Sequence, residues 1–180
     1  MDFTEKKISE NLVFDGRIIK VCTDKVCLPN GKEAYREVVK HMGAAAAVPI
    51  DEDEIIMVRQ FRYPVQEHLL EIPAGKLDSN DEDPEWRAKE ELMEEIGKYP
   101  QRLEYLGYIY TSPGFTTEKI HLYLATDLVD NKRDTDEDEF VEVVRIKFEE
   151  ALKMVLEGEI VDSKTIAGIT RAWYKLKGGF

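Results

Sequence analysis

The segment from Glu91 to Glu95 holds three carboxylates at a spacing that suits metal binding. Successive residues of an α-helix are rotated by about 100°, so Glu91, Glu94 and Glu95 share an arc of about 100° on one helix face. Three like charges within one turn repel one another unless water or cations neutralise them. Carboxylate oxygens are ligands that divalent cations such as Mg²⁺ accept readily. Two interpretations are open at this point, a divalent-cation site and an acidic face exposed to water.

A helix over Pro84–Ile96 is predicted to present these acids. Asp83 suits the N-cap, proline suits the first turn, and Gly97 suits the end of the helix. The side of the helix away from the acids is apolar and is predicted to dock on a sheet; its residues are Trp86, Leu92, Met93 and Ile96.

Negative charge is concentrated in two parts of the chain. There are 37 acidic and 25 basic residues among 180, a formal net charge of -12. Residues 78–95 contain nine acids and two bases, and residues 134–142 contain six acids and no base. This charge disfavours nucleic-acid binding, because phosphate backbones are held by cationic side chains. The two acidic segments either form separate solvated surfaces or meet at a cation site.

The remaining composition is typical of a cytoplasmic protein with a single core. The opening MDFTEKKISE lacks the basic and apolar parts of a signal peptide, and no apolar run approaches the roughly 20 residues that span a bilayer. Cys22 and Cys27 lie in strand-like sequence with side chains expected on opposite faces, so no disulfide is predicted. His41, His68 and His121 show no zinc-ligand spacing.

Strands and helices alternate along the chain. Strands over residues 12–28 and 34–40, joined by a turn at Asn30-Gly31, predict an N-terminal antiparallel unit. A unit this small must pack on the rest of the chain or on a second chain. Further strands are predicted at residues 43–50, 55–61, 103–111, 120–125 and 140–146, and further helices at residues 148–157 and 163–175. This order predicts a mixed sheet flanked by helices.

The sequence around the acidic helix resembles the Nudix box. Gly75-Lys76-Leu77, Glu82 and the run Glu91-Leu92-Met93-Glu94-Glu95-Ile96-Gly97 match the glycines and glutamates of that pattern. The box departs from the family in one extra residue between Gly75 and Glu82, and in Lys98 where the family has an aliphatic residue.

A third departure is Glu90, which stands where the family has arginine. On the helical wheel Glu90 lies beside the acidic face and adds a further negative charge. Arg87 is the predicted compensating cation, because it stands four residues before Glu91 and lies on the same side of the helix.

The resemblance covers most of the chain and is to the ADP-ribose pyrophosphatase branch of the Nudix hydrolases. Its further marks are Arg59-Gln60-Phe61-Arg62, Glu71-Ile72-Pro73-Ala74-Gly75, Ser112-Pro113-Gly114-Phe115 and residues 136–143. Pro113 stands sixteen residues after Gly97, the placement that marks ADP-ribose enzymes in this family. The resemblance implies the α/β (α+β) Nudix fold, a mixed β-sheet flanked by helices in an α/β/α sandwich. It also implies a small N-terminal antiparallel β unit at residues 1–42 and a hydrolase domain at residues 43–180.

The resemblance implies a metal set that holds Mg²⁺, with Mn²⁺ as a possible substitute: the carbonyl of Ala74 with Glu91, Glu94 and Glu95. Glu139, or alternatively Glu137, is implied as the general base that takes a proton from the attacking water. An acidic loop without function is the alternative for this segment. Glu142 is expected to face solvent.

Substrate contacts are implied for a further group of residues. Arg62 would clamp the diphosphate, since a guanidinium offers paired donors to phosphate oxygens. Glu71 would face the terminal ribose, and Gly114 and Glu118 would line the loop after the proline. Three residues of the N-terminal unit would reach the adenosine end and, in a homodimer, serve the partner's site: Arg17, Arg36 and Glu37.

The activity implied by the resemblance is Mg²⁺-dependent hydrolysis of ADP-ribose to AMP and ribose 5-phosphate. Hydrolysis of another nucleoside diphosphate sugar is the alternative within enzymes. A catalytically weakened sensor that binds ADP-ribose is a second alternative, suggested by Glu90. A calcium-binding module is a third, but the spaced loop of an EF-hand is absent from the sequence.

Overall fold

Two β-sheets and three α-helices make up the computed structural model, which describes residues 2–79, 81–133 and 140–178. The N-terminal sheet contains β1 (Lys6–Asp15), β2 (Lys20–Cys27) and β3 (Glu33–Lys40). The larger sheet contains β4 (Ala44–Asp51), β5 (Glu54–Arg62), β6 (Glu67–Glu71), β7 (Ala74–Lys76), β8 (Lys98–Tyr110), β9 (Lys119–Asp130) and β10 (Val141–Lys147). The helices are α1 (Pro84–Ile96), α2 (Phe148–Glu157) and α3 (Ser163–Lys177).

The N-terminal sheet is antiparallel, with β2 between β1 and β3. The predicted antiparallel unit is therefore confirmed, but a single strand over residues 12–28 is wrong. The chain reverses at Gly16, whose N–H donates to the carbonyl of Ile19 (2.9 Å), and this turn separates β1 from β2. Cys22 is buried, Cys27 is half-buried, and both are free thiols, as expected.

The larger sheet confirms the predicted mixed architecture. Its strand order is β10-β5-β4-β9-β8, with β6 added to β5 and β7 added to β4. β4 runs parallel to β9, and the other pairs are antiparallel. The sequence patterns did not predict β6 and β7, which are short and are defined by their pairing with longer strands.

Helices cover both faces of the larger sheet, and β4 shows how the strands supply both cores. Alternate residues of a strand point to opposite faces. On one face Ala46, Val48 and Ile50 pack with α2 and α3 in the main core, together with Met57, Leu122, Phe148 and Ile169. On the other face Ala45 and Ala47 pack under α1 with Ala88, Leu92 and Tyr123. The sheet is thus the middle layer of an α/β/α arrangement.

The bounds of α1 agree with the prediction. The carboxylate of Asp83 accepts a hydrogen bond from the N–H of Glu85 (2.9 Å), and Gly97 ends the helix in the left-handed region with φ of 68°. The predicted apolar stripe is wrong at Trp86, which is 49% exposed. The alanine surface under α1 is reached by Ala88 and Leu92, whereas Trp86 lies in the first turn with its ring 5.2 Å from the Arg87 guanidinium.

The N-terminal sheet is tied to the larger sheet at the end of β3. The N–H of Val39 donates to the carbonyl of Phe115 (2.7 Å), and the N–H of Thr117 donates to the carbonyl of Val39 (2.9 Å). These bonds join β3 to the loop that precedes β9. The division into units at residues 42 and 43 stays a prediction. Among the described residues, none of the helices is both long and apolar enough to cross a lipid bilayer.

Candidate active site

A cleft of about 580 Å³ opens where several strands end beside the start of α3. Its walls come from the ends of β3, β5, β6 and β8, from β7, and from the first turn of α3. The chemically important lining residues are His41, Arg62, Glu71, Ala74, Gly75, Glu118, Asp162 and Lys164. Strand ends are well suited to such a site, since the sheet fixes their backbone while the side chains reach into open space.

The acidic face of α1 packs against β7, which lines this cleft. Glu91 and Glu95 are each only 7% exposed. The carboxylate of Glu95 accepts a hydrogen bond from the N–H of Ala74 (3.3 Å). The carboxylate of Glu91 lies so close to Gly75 that a β-carbon there would stand 1.6 Å from the Glu91 Oε1 atom. The structure therefore brings together three members of the predicted metal set.

The fourth member, Glu94, is half-buried and lines a second crevice of about 610 Å³ together with Glu95. This crevice is bounded by β5, β6 and the start of β10, where Phe140 and Val141 lie. Glu137 and Glu139, the predicted alternatives for the general base, fall outside the described residues. Glu142 has a side chain that is 65% exposed, as expected, and it pairs with Arg59 at 2.9 Å.

The donor chemistry of this region suits a hard divalent cation, because it consists of carboxylate and carbonyl oxygens. The space that Gly75 leaves for the Glu91 carboxylate allows those donors to approach the backbone of β7. Within the part of the chain that the structure describes, no three His, Cys, Asp or Glu side chains are gathered closely enough to hold a metal ion. The metal-binding roles of Ala74, Glu91, Glu94 and Glu95 stay predictions.

Arg87 links the acidic helix to the segment before it. Its guanidinium pairs with Glu82 at 2.6 Å, with Asp78 at 2.8 Å and with Glu91 at 3.6 Å. Burial disfavours the charged form of Arg87, but the hydrogen bond to Glu82 and the surrounding carboxylates raise its pKa above the usual range. The predicted approach of Arg87 to Glu91 is confirmed.

The structure gives Glu90 a partner that the helical wheel did not predict. Glu90 is buried and forms an ion pair with Arg133, in a pocket on another side of α1 that Trp86 and Tyr99 also line. The N–H of Arg133 also donates to the carbonyl of Met93 (3.1 Å). A helical wheel gives the direction of a side chain but not the partner that it meets, so the attraction of Arg133 could not be predicted.

Arg62 and Glu71 form the main ion pair of the cleft. Arg62 Nε and Nη2 each donate to one carboxylate oxygen of Glu71, both at 2.6 Å. Burial disfavours ionisation of Glu71, but the bonds from Arg62 and the charge of Lys164 outweigh it, so the pKa of Glu71 lies below its usual range. Hydrogen bonding to Glu71 raises the pKa of Arg62, and the charges of Asp162 and Glu95 add to this rise.

The other predicted substrate residues are placed as follows. Glu118 accepts a hydrogen bond from the Thr111 hydroxyl (2.8 Å) and lies 3.7 Å from the ring of His41. Gly114 lies in the exposed loop after Pro113. Of the described N-terminal residues 2–42, only His41 lines the cleft.

Arg17, Arg36 and Glu37 are all exposed and lie outside the cleft lining of this chain. Arg17 is in the β1–β2 turn, and Arg36 is held by Glu5 through its Nε atom (2.9 Å). Their proposed contacts with substrate therefore require a second chain or a movement, and they stay predictions.

Sequence reasoning missed the contribution of α3. Lys164 is buried beside Glu71, and the hydroxyl of Thr165 accepts a hydrogen bond from the N–H of Ile72 (2.9 Å). Asp162 is a recognisable N-cap from sequence, because it precedes a helical pattern. No sequence signal shows that the helix start lies against β6.

The chain is similar to known proteins over most of its length. Residues 40–167 match the model of the NUDIX domain family. The chain is 46% identical over 168 residues to an ADP-ribose pyrophosphatase of Bacillus subtilis, covering 92% of this chain and 90% of that protein. It is 44% identical over 170 residues to a methanol dehydrogenase activator of Bacillus methanolicus, covering 93% and 91%.

A solved structure described as an ADP compounds hydrolase superposes with a TM-score of 0.87 and 21% sequence identity. The match covers 99% of this chain and 97% of that one. At this identity the likeness concerns the fold alone, and it confirms the predicted architecture from the N-terminal sheet to α3.

Proposed function

Because the chain belongs to the Nudix hydrolase family, we propose that it hydrolyses the diphosphate of ADP-ribose to AMP and ribose 5-phosphate. The observation that carries this proposal is that β7 lies between the two groups: Ala74 and Gly75 line the same cleft as Arg62, and the acidic face of α1 packs on them. A diphosphate needs both a cationic clamp and metal-binding carboxylates, because attack on a doubly charged group is otherwise opposed electrostatically. The two relatives at 46% and 44% identity carry different names, so the substrate has to be measured.

Nudix hydrolases use a divalent metal, and we propose Mg²⁺ for this chain, with Mn²⁺ as a substitute. The proposed ligands are the carbonyl of Ala74 with Glu91, Glu94 and Glu95. When bound, the metal neutralises phosphate charge and lowers the pKa of the attacking water. The protein contributes rigidity, since Glu91 and Glu95 are buried between α1 and β7 and cannot swing freely into solvent.

Arg62 is proposed to bind a phosphate oxygen with the N–H groups that Glu71 leaves unused. Its Nε and Nη2 atoms face Glu71, so the guanidinium already has a fixed plane before substrate arrives. Fixing a donor in advance lowers the entropy cost of binding. Glu139, or alternatively Glu137, is proposed as the base, because the chain that follows them enters the crevice of Glu94 and Glu95 at Phe140.

We further propose a homodimer that buries the apolar surface of the N-terminal unit. Five large apolar side chains there are 50% to 62% exposed: Ile8, Leu12, Val13, Phe14 and Ile18. Exposed apolar groups this dense in so small a unit mark an interaction surface. We propose that in such a dimer Arg17, Arg36 and Glu37 of one copy contact the substrate in the cleft of the other.

One assay tests the hydrolase proposal. AMP release is measured from ADP-ribose, ADP-glucose, GDP-mannose and NADH, each with and without Mg²⁺. Mg²⁺-dependent turnover with ADP-ribose as the best substrate supports the proposal. A different best substrate moves the function to another nucleotide sugar. Binding of ADP-ribose by calorimetry without any turnover supports a sensor.

Subunit mixing tests the dimer. Glu95→Gln subunits and Arg36→Ala subunits are each expected to be nearly inactive alone. If Arg36 serves the partner's site, half the dimers after exchange carry one intact site, and about a quarter of wild-type activity returns. No recovery in a mixture shown by mass to contain mixed dimers contradicts a contribution across the interface.

A further inference from the structure

Lys164 is a buried cation in the cleft for which the hydrolytic mechanism gives no role. Its side chain is 8% exposed, and Glu71, with which it forms an ion pair, is 1% exposed. Lysine is almost never buried unless its charge is paired. The pair therefore calls for an explanation beyond general stability.

The first turn of α3 holds the backbone of β6 as well as its carboxylate. Asp162 accepts hydrogen bonds from Lys164 Nζ (3.0 Å) and from the N–H and hydroxyl of Thr165 (3.0 and 2.6 Å). The same hydroxyl accepts a bond from the N–H of Ile72, next to Glu71. The close packing continues at Gly168, where a β-carbon would stand 2.9 Å from Ile72 Cδ1.

The charges in this cluster balance in pairs. Glu71 and Asp162 are negative, and Arg62 and Lys164 are positive. Lys164 bridges the two carboxylates, so Glu71 can present both of its oxygens to Arg62. Without that bridge, two largely buried carboxylates would compete for Arg62, which is the more exposed cation at 39%.

We propose that Lys164 is a positioning residue that keeps the Arg62 guanidinium directed at the diphosphate by holding Glu71 and Asp162. This role rests on the proposed hydrolytic function. Lys164 acts through the carboxylates and makes no contact with substrate. Its loss weakens substrate binding and leaves the acidic face of α1 intact.

Lys164→Gln tests the proposal, because glutamine keeps a hydrogen-bond donor and removes the charge. The expected result is a rise in KM for ADP-ribose of about tenfold, the scale of one charge-assisted hydrogen bond, with kcat within about twofold. Lys175→Gln, an exposed lysine on the same helix, is the matched control and keeps both constants. Lys164→Arg keeps the charge and is expected to keep a KM nearer to wild type.

A double mutant separates positioning from direct contact. In a Glu71→Gln background the carboxylate through which Lys164 acts on Arg62 has already lost its charge, so Lys164→Gln is expected to change KM by less than about twofold. Effects on KM that multiply in the double mutant overturn the proposal. A lower melting temperature with unchanged KM overturns it as well, since that result assigns Lys164 to stability alone.

A crystal structure of Lys164→Gln gives a readout that needs no turnover. The proposal expects the two-bond contact between Arg62 and Glu71 to be lost or shared with Asp162, and an unchanged contact overturns it. If the wild-type protein hydrolyses no nucleotide sugar, the proposed function fails, and this structure still decides whether Lys164 positions Arg62. If Lys164→Gln does not fold, KM and the contact between Arg62 and Glu71 are measured on Lys164→Arg instead. In that variant an unchanged KM together with a lost contact overturns the proposal.

Discussion

Replacing Gly75 by alanine would act on the acidic face of α1 through one atom. The backbone at Gly75 needs no left-handed conformation, so alanine brings no backbone strain there. The new β-carbon would stand 1.6 Å from Glu91 Oε1 and 2.0 Å from its Cδ atom. Ordinary van der Waals contact begins at 3.4 Å, so the carboxylate must move by roughly 1.8 Å.

A shift of this size is large for a proposed metal ligand. A displacement of about 1 Å at a reacting centre can cost about 10² in rate, so Gly75→Ala is expected to lower kcat/KM for ADP-ribose by about 10²-fold or more. That loss corresponds to about 2.7 kcal/mol of transition-state stabilisation. The fold should survive, because the three nearest atoms, Oε1, Cδ and Cγ of Glu91, all belong to a side chain and not to the backbone.

The assay is AMP release over a range of Mg²⁺ concentrations, with circular dichroism to confirm folding. In a Glu91→Gln background the same glycine replacement should add little, because the side chain that it displaces has already lost its charge. If the rate of Gly75→Ala stays within threefold of the wild-type rate at every Mg²⁺ concentration, the proposed role of Glu91 in the active site is refuted.

Three further predictions concern charged groups near the cleft. Glu95→Gln should keep the fold and lower the rate by roughly 10²-fold, the scale of losing a main electrostatic contact. Its control is Glu85→Gln, at the exposed start of the same helix, whose rate should stay within about twofold of wild type. Equal rates for the two variants contradict this prediction. A double-mutant cycle on Glu90 and Arg133, with the free energy of unfolding measured in urea, should give a coupling energy of about 0.5–1 kcal/mol, because Arg133 is half-exposed. A coupling energy near zero would show that this ion pair does not stabilise the fold. The pKa of Glu71 is lower in the folded protein than in the unfolded chain, where it is about 4.3. The charged carboxylate therefore stabilises the fold fully at pH values above the unfolded pKa. This stabilisation is lost as the pH falls through the lower pKa of the folded protein. Glu71→Gln should therefore flatten the dependence of unfolding free energy on pH in that acidic range, and an unchanged slope would contradict the assignment.

Local signals predicted α1 from the sequence, because everything that defines its ends lies within a few residues. Asp83, Pro84 and Gly97 act on the backbone beside them, and the structure confirms each. The strands β6 and β7 carry no comparable local signal. Ala74–Lys76 becomes a strand because it pairs with β4, some thirty positions earlier in the chain. A pattern of three residues cannot predict a partner at that distance.

The same distinction applies to the candidate site. Helix geometry predicts that Glu91 and Glu95 share a face, and the structure finds both against β7. The partner of Glu71 across 93 positions could not be predicted, since Lys164 lies in a segment where sequence shows only the start of a helix. Buried ion pairs are selected by tertiary packing, so sequence identifies their members only when a family pattern names them.

Glu90 stands where the family motif has arginine, but the acidic face still has a cation beside it. Arg87 lies three positions before Glu90, and three residues rotate a helix by about 300°, so the two positions point within about 60° of each other. From there Arg87 reaches Glu82 and Glu91, two glutamates of the box. The charge of Glu90 is neutralised by Arg133. A cation therefore still contacts the acidic face, and the extra negative charge does not add to it. On electrostatic grounds Glu90 gives no reason to expect a weakened site, which favours the hydrolase over the sensor.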